Sequence, residues 1–403
     1  MFLFGKGLKA VVGSGASPMQ GGSIACKNCH GADGLGKREG GVAFPAIVWR
    51  QLATTTGERQ AYTSPALFRL LTEGVNAADV RLNAIMPRYA LDDERFASLR
   101  AYLEQLEREQ RQGVTSTDVT FAVPAGPGFE NAAVELAQRL EAAWTNTNLD
   151  GGIYDRRARF RVVGDGQPLG DVFAAVGLIE ANEVQADRLL AQGIPNVLPF
   201  TAVRGDEDTD LVRGAGASRM DAIHALLKKA EAIGGKKLAV CGDLASRRLT
   251  QFALAQAGVA NFEAVETCDP PDATAILLLT SAIGDMVSRR SRADVVVLGL
   301  LDQLAPQVDR LRQSGARLYL ADTRPALMGK AVAQRSSLID EHAAMAANVL
   351  KDALILAGRD VTRARFVAAF DTIVAPLDEK ANLDFRRNRL TGDDKVEIRE
   401  VGP

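Results

Sequence analysis

Cys26-Lys27-Asn28-Cys29-His30 is the stretch that most constrains this chain. Two thiols three positions apart, with a histidine directly after the second, read as the attachment site of a c-type haem. Each thiol adds across one vinyl group of the porphyrin, and the adjoining imidazole reaches the iron from the proximal side. A chain built on such a site must also supply a dry pocket and a second axial ligand after position 30. Two other uses of a Cys-x-x-Cys pair compete with this one. A zinc half-site needs further Cys or His nearby, yet the only other histidines are His224 and His342, far along the chain. A thioredoxin-type dithiol opens a helix after a strand, and no apolar strand precedes Cys26. The expected cofactor is one covalently bound haem c, attached through Cys26 and Cys29, with His30 on the iron.

Length and charge bound the rest. At 403 residues the chain is too long for one small domain and calls for two or three. A formal net charge of −2, with no basic block, gives no case for a nucleic-acid partner. No run of about 18 apolar residues exists, so no transmembrane segment is expected. Met1-Phe2-Leu3-Phe4 is too short for a signal-peptide core. Covalent haem attachment happens outside the cytoplasm, so a periplasmic location is expected, with an export signal not present in this sequence.

Between positions 20 and 110 the pattern is helical. Ser64–Gly74 has helical spacing with a Ser-Pro start, and Leu91–Gln110 has an acidic first turn and an apolar face of Phe96, Leu99, Leu103 and Leu106. Ala84-Ile85-Met86-Pro87-Arg88-Tyr89 lies between them. Together with the Cys26–His30 motif these segments resemble a class I cytochrome c domain, an all-α fold. The resemblance implies that Met86 is the second iron ligand. It also implies that the Pro45 carbonyl holds the proximal imidazole and that Tyr102 is the aromatic residue of the C-terminal helix. A His/Met-ligated iron passes electrons without opening to substrate, and a thioether raises its potential relative to a second histidine.

Residues 1–112 are therefore expected as a c-type cytochrome domain, 113–117 as a polar linker containing Gly113, and 118–403 as a second domain. Beyond the linker, strands alternate with helices. Predicted strands include Thr120–Val123, Phe160–Val163, Val172–Val176, Lys237–Cys241, Phe262–Val265, Ala293–Leu298 and Arg317–Leu320. Predicted helices include Glu130–Trp144, Glu183–Gln192, Met220–Ile233, Ala245–Ala257, Ala275–Arg289, Leu304–Ser314, Ala343–Leu356 and Thr362–Phe370. Such alternation implies parallel sheets covered on both faces. Two such units followed by a return segment resemble the type I periplasmic solute-binding proteins of the branched-chain amino acid family. Gln192–Leu198, Leu356-Ala357-Gly358 and Leu383–Asn388 are the stretches that carry the likeness. The resemblance implies a two-lobed α/β fold that closes on a small ligand at the C-terminal ends of its strands.

The chain departs from that pattern. Gly164–Asp171 is too short for a helical crossover between two parallel strands. Leu178 and Glu180 stand where amino-acid binders place a hydroxyl, and Leu300-Leu301 where an aromatic is expected. An amino-acid ligand is disfavoured accordingly. Phe129, Glu180, Thr201, Asp243, Asp302 and Asp322 are the residues able to line a cleft, though each reads equally as a helix cap or a solvated strand end. Cys241 and Cys268 end consecutive strands and form either a disulfide or two buried thiols. The function expected is electron transfer or redox sensing, with a redox partner protein, and with the second domain binding a small ligand or a protein. The alternative is a substrate-binding or sensing protein of an ABC transporter, with the haem accessory. No nucleophile–base pair or phosphate loop supports an enzyme.

Overall fold

The computed structural model describes residues 9–12, 19–57, 59–180, 183–206, 210–234, 237–241, 263–265, 275–279, 296–304, 308–313, 317–377 and 381–401. The chain divides into two compact units, residues 1–112 with 362–365, and residues 113–361 with 366–403. The predicted helix Ala245–Ala257, with Asp243 and Cys268, lies outside the described residues.

The first unit holds β1 (Lys9–Val11), β2 (Met19–Gln20), α1 (Cys26–His30), β3 (Lys37–Glu39), β4 (Val42–Phe44), α2 (Trp49–Leu52), α3 (Ser64–Glu73), β5 (Arg88–Tyr89) and α4 (Asp93–Gln110). Thr63 caps α3 through Ala66 N, and Gly74 closes that helix in the left-handed conformation. Asp92 caps α4 through Arg95 N, and Leu99, Leu103 and Leu106 turn inward onto Ile24, Val48, Leu67, Leu70 and Leu71. An all-α fold is corrected here. β1 pairs antiparallel with both β2 and β5, and β3 pairs with β4 around Gly40-Gly41, both of positive φ. Short extended pairs of this kind carry too few residues for a period-two signal.

The second unit contains two sheets. The first has β6 (Asp118–Pro124), β7 (Arg157–Val163), β8 (Ala174–Val176), β9 (Asn196–Val197) and β10 (Val212–Arg213), ordered β10-β9-β8-β6-β7 and parallel throughout. Phe121, Ala122 and Val123 are wholly buried, which is why the second half of β6 is a continuous apolar run. No helix stands between β7 and β8. The ten-residue link between them passes across β6 without a helical layer. α5 (Glu130–Leu149) and α6 (Val184–Ala191) flank this sheet.

The second sheet has β11 (Lys237–Cys241), β12 (Glu263–Val265), β13 (Ala275–Leu278), β14 (Val296–Leu300) and β15 (Arg317–Asp322) in the parallel order β12-β11-β13-β14-β15. α7 (Arg219–Ala232) packs on β14 and β15. α8 (Leu301–Leu304) and α9 (Val308–Gln313) follow β14, the second within the helix expected over Leu304–Ser314. The helix expected from Ala275 is also corrected. Ala275–Leu278 is the central strand β13, since a short apolar run has the same composition in a buried strand as in a buried helix.

The chain then returns to the first sheet. α10 (Pro325–Gln334) leads into α11 (Leu338–Ala357), which packs against α5, followed by α12 (Arg363–Ala369) and the hairpin β16 (Val374–Pro376) with β17 (Asn382–Asp384). Phe366, Phe370, Leu383 and Phe385 share one core with Phe121, Trp144 and Phe160. Finally β18 (Glu397–Val401) adds antiparallel to β15 at the edge of the second sheet. Each lobe is thus assembled from discontinuous segments, and the chain passes between them three times, near residues 214–218, 323–324 and 390–396.

Candidate functional site

The three passages are laced together by backbone. Gly214 N donates to Leu390 O at 2.6 Å, Gly392 N to Gly214 O at 3.1 Å, and Ala217 N to Thr323 O at 3.0 Å. Gly216 must lack a side chain, because a Cβ there would stand 2.2 Å from Thr323 O and 2.5 Å from Arg324 Cγ. Directly beside this hinge, the C-terminal ends of β9, β14 and β15 deliver side chains to one place.

After β9 comes Phe200, half-buried, with its ring centroid 5.1 Å from that of His342 on α11. The guanidinium of Arg324, at the end of β15, lies 4.2 Å from the Phe200 centroid, in cation–π contact. Arg324 is only 6% exposed, and its Nη1 has no hydrogen-bond partner. Asp302, on α8 after β14, accepts from Ala202 N through Oδ2 at 3.2 Å, while its Oδ1 is buried without a partner. Burial depresses the affinity of Arg324 for its proton, and the Asp302 and Asp322 carboxylates oppose that loss. His342 is fully buried, and its Nε2 lies 3.0 Å from Leu198 O, which as an acceptor requires the proton on Nε2. Burial, reinforced by the nearby Arg324 charge, pushes its pKa down to about 3.

The other cleft residues are otherwise engaged. Glu180 is 4% exposed and spends both oxygens on the start of α6, accepting from Gln185 N at 2.7 Å and Ala186 N at 2.9 Å. Burial raises its pKa, with those two bonds working in the opposite direction. Thr201 exchanges hydrogen bonds with the Glu180 backbone, its Oγ1 accepting from Glu180 N and donating to Glu180 O, each at 3.1 Å. Leu178 is buried in the first lobe. Asp322 accepts from Arg324 N at 2.9 Å and faces Arg399 Nη2 at 2.7 Å, so it braces β18 to β15. Phe129 leads into α5 and packs on the first lobe's core. Asp302 and Asp322 therefore lie near Arg324, whereas Phe129 and Glu180 serve helix starts and Thr201 is tied to the Glu180 backbone. Phe200, Arg324 and His342 were not among the residues picked from sequence; only their position just past a strand, or on an apolar helix face, could have drawn notice.

A cavity of about 30 Å³ beside Glu180, Thr201 and Arg219 has room for a water and no more. A polar pocket of about 310 Å³ lies along the third passage, lined by Asp384, Asn388, Asp393 and Lys395 among others. Asp384 there is already paired with Arg386 and Arg387. Cys241 is buried at the end of β11. Its proposed partner Cys268 lies outside the described residues.

In the first unit Cys26 and Cys29 are half-buried thiols on α1, with Cys26 Sγ 4.0 Å from Tyr89 Oη. His30 Nδ1 lies 2.7 Å from Pro45 O. Burial raises the Cys26 pKa and lowers that of His30. Met86 and Tyr102 are partly buried against the core of this unit.

No protein-family model matches the chain, and no curated protein matches its sequence. Solved structures do share its fold. A substrate-binding periplasmic protein from Ralstonia solanacearum superposes with a TM-score of 0.51 at 18% identity, over 70% of this chain and 98% of its own. A fatty acid ABC transporter substrate-binding protein from Thermomonospora curvata gives 0.52 at 15% identity, over 72% and 90%. A type 1 periplasmic binding protein from Bordetella pertussis Tohama I gives 0.50 at 16% identity, over 71% and 100%.

These findings correct the haem-centred expectations. The matched proteins are substrate-binding proteins, which favours the alternative reading over electron transfer and leaves the cytochrome resemblance and a redox partner without support. Haem c as cofactor is corrected as well. Among the described residues no group of three or more His, Cys, Asp or Glu side chains is placed to hold a metal ion. No described helix is long and apolar enough to cross a membrane. What the likeness establishes is architecture: the second unit has the two-lobed α/β fold of the type I periplasmic binding proteins.

Proposed function

We propose that the second unit is a periplasmic solute-binding module that takes a small molecule at the junction of its two lobes and serves transport or sensing rather than catalysis. The observation that carries this reading is the convergence of Phe200 from the first lobe with Asp302 and Arg324 from the second, at strand C-termini, with two polar atoms left unpartnered. Open parallel sheets place ligands outside those strand ends. Buried charged groups are retained only where something pairs with them. The first unit, residues 1–112 with 362–365, has no part in this binding reading.

The test is a thermal-shift screen of the full chain against amino acids, organic acids, sugars and amines. A ligand at a hundred times its Kd adds about 2.7 kcal/mol of stability. For a unit of this size that is roughly a 5 °C rise in Tm. A saturable rise of that order supports the module, and a flat response across the whole screen refutes it.

A further inference from the structure

The third passage carries a buried carboxylate with an oxygen to spare. Asp393 is 8% exposed and lines the polar pocket of about 310 Å³. Its Oδ1 accepts from Lys395 N at 3.1 Å, whereas its Oδ2 is buried without a hydrogen-bond partner. Burial raises its pKa, and the Lys395 amide and ammonium offset that rise only in part. A desolvated carboxylate oxygen facing no donor costs free energy that a donor entering the pocket would recover.

The backbone fixes the frame around this group. Gly392 N donates to Gly214 O at 3.1 Å and Asp384 N to Gly392 O at 2.7 Å. A Cβ on Gly392 would stand 2.4 Å from Leu383 Cγ, so glycine is needed directly before Asp393. Other polar groups of the lining are already used. Asn388 donates through Nδ2 to Thr391 Oγ1 at 2.7 Å and accepts from Leu390 N at 3.0 Å, and Asp384 is spent on Arg386 and Arg387. The unmet need is therefore for a donor, which rules out a bare anion. A metal ion does not fit, because among the described residues no three His, Cys, Asp or Glu side chains converge to hold one. With the Asp394 carboxylate on the same lining, a donor that carries positive charge suits the pocket best. Its volume lies at the lower end of the range for small-molecule sites.

We propose that this pocket is a second binding site, for a small protonated alkylamine whose ammonium donates to Asp393 Oδ2. It lies on the third passage rather than at the strand ends, and it stands independently of the junction reading.

Isothermal titration of the full chain with n-butylammonium, tetramethylammonium, n-butanol and calcium chloride tests the assignment. n-Butylammonium should bind at one saturable site. Tetramethylammonium has the charge but no N–H, and n-butanol has a donor but no charge. Each should bind at least about tenfold more weakly, through loss of one charge-assisted hydrogen bond. Calcium should neither bind saturably nor displace the amine. Asp393→Asn keeps an oxygen for Lys395 N and should weaken n-butylammonium binding by about 10- to 100-fold. Circular dichroism reports whether the variant folds, and if it does not, the wild-type series alone decides. No binding of n-butylammonium, equal affinity for tetramethylammonium or n-butanol, preference for calcium, or Asp393→Asn binding like wild type overturns the site while leaving the junction module standing. An amine response in the thermal-shift screen that Asp393→Asn abolishes belongs to this pocket and does not count for the junction.

Discussion

His342 offers a measurable consequence of the junction's dryness. It is wholly buried, held at Nε2 by Leu198 O, and kept neutral by burial and by the Arg324 charge. In the unfolded chain its pKa is near the ordinary 6.5, and in the folded protein it is about 3. As pH falls below 6.5 the unfolded state takes up a proton that the folded state refuses, so stability is lost progressively down to about pH 3. One proton costs about 1.4 kcal/mol per pH unit, so the descent from pH 6.5 to 5.0 removes at most about 2 kcal/mol through this residue. Glu180 and Asp322, whose pKa values are raised by burial, act oppositely, since their contribution is lost as pH rises through the carboxylate range. The comparison is therefore made against His342→Gln, which retains an amide donor for Leu198 O and cannot titrate. Urea denaturation at pH 7.0, 6.0 and 5.0 should show wild type losing up to about 2 kcal/mol more than the variant over this range. Equal pH slopes for the two proteins would refute the buried, neutral assignment.

Three further outcomes follow from local geometry. Glu180→Ala removes the acceptor of two amides at the start of α6 and should cost about 1–3 kcal/mol. Hydrogen exchange at Gln185 and Ala186 should accelerate, and unchanged protection there would contradict the capping role. Gly216→Ala places a methyl group against Thr323 O at the hinge and should lower stability by about 1–3 kcal/mol, read as a fall in Tm. Gly329→Ala, inside α10 with open space around it, should raise stability by about 0.5–1 kcal/mol.

How much of this was legible depended on length and burial. Lys237–Cys241 is a strand over the span its apolar run suggested, and the amphipathic faces of α4, α7 and α11 announced themselves through their spacing. β9 and β10 are two residues each and hold their place only through neighbouring strands, so no local pattern marks them. β18 reads Glu-Ile-Arg-Glu-Val, a charged edge strand whose partner lies far back in the chain. The shortness of Gly164–Asp171 did foretell the missing helix between β7 and β8. At the junction, Asp302 was legible as a polar residue past an apolar strand. Arg324 was not, because an arginine before a proline looks like any solvated loop until the fold buries it. The Cys26–His30 motif shows the opposite hazard, since a compact local pattern dominated a chain most of whose residues belong to a different architecture.

The discontinuity of the lobes bears on how this polypeptide comes together. Leu383 and Phe385 complete an interior that Phe121 begins, and β18 seals the margin of a sheet opened at Lys237. During synthesis neither half can reach its final state until almost the whole second unit has left the ribosome. Removing residues 374–401 should therefore leave two unfinished halves rather than one intact and one damaged.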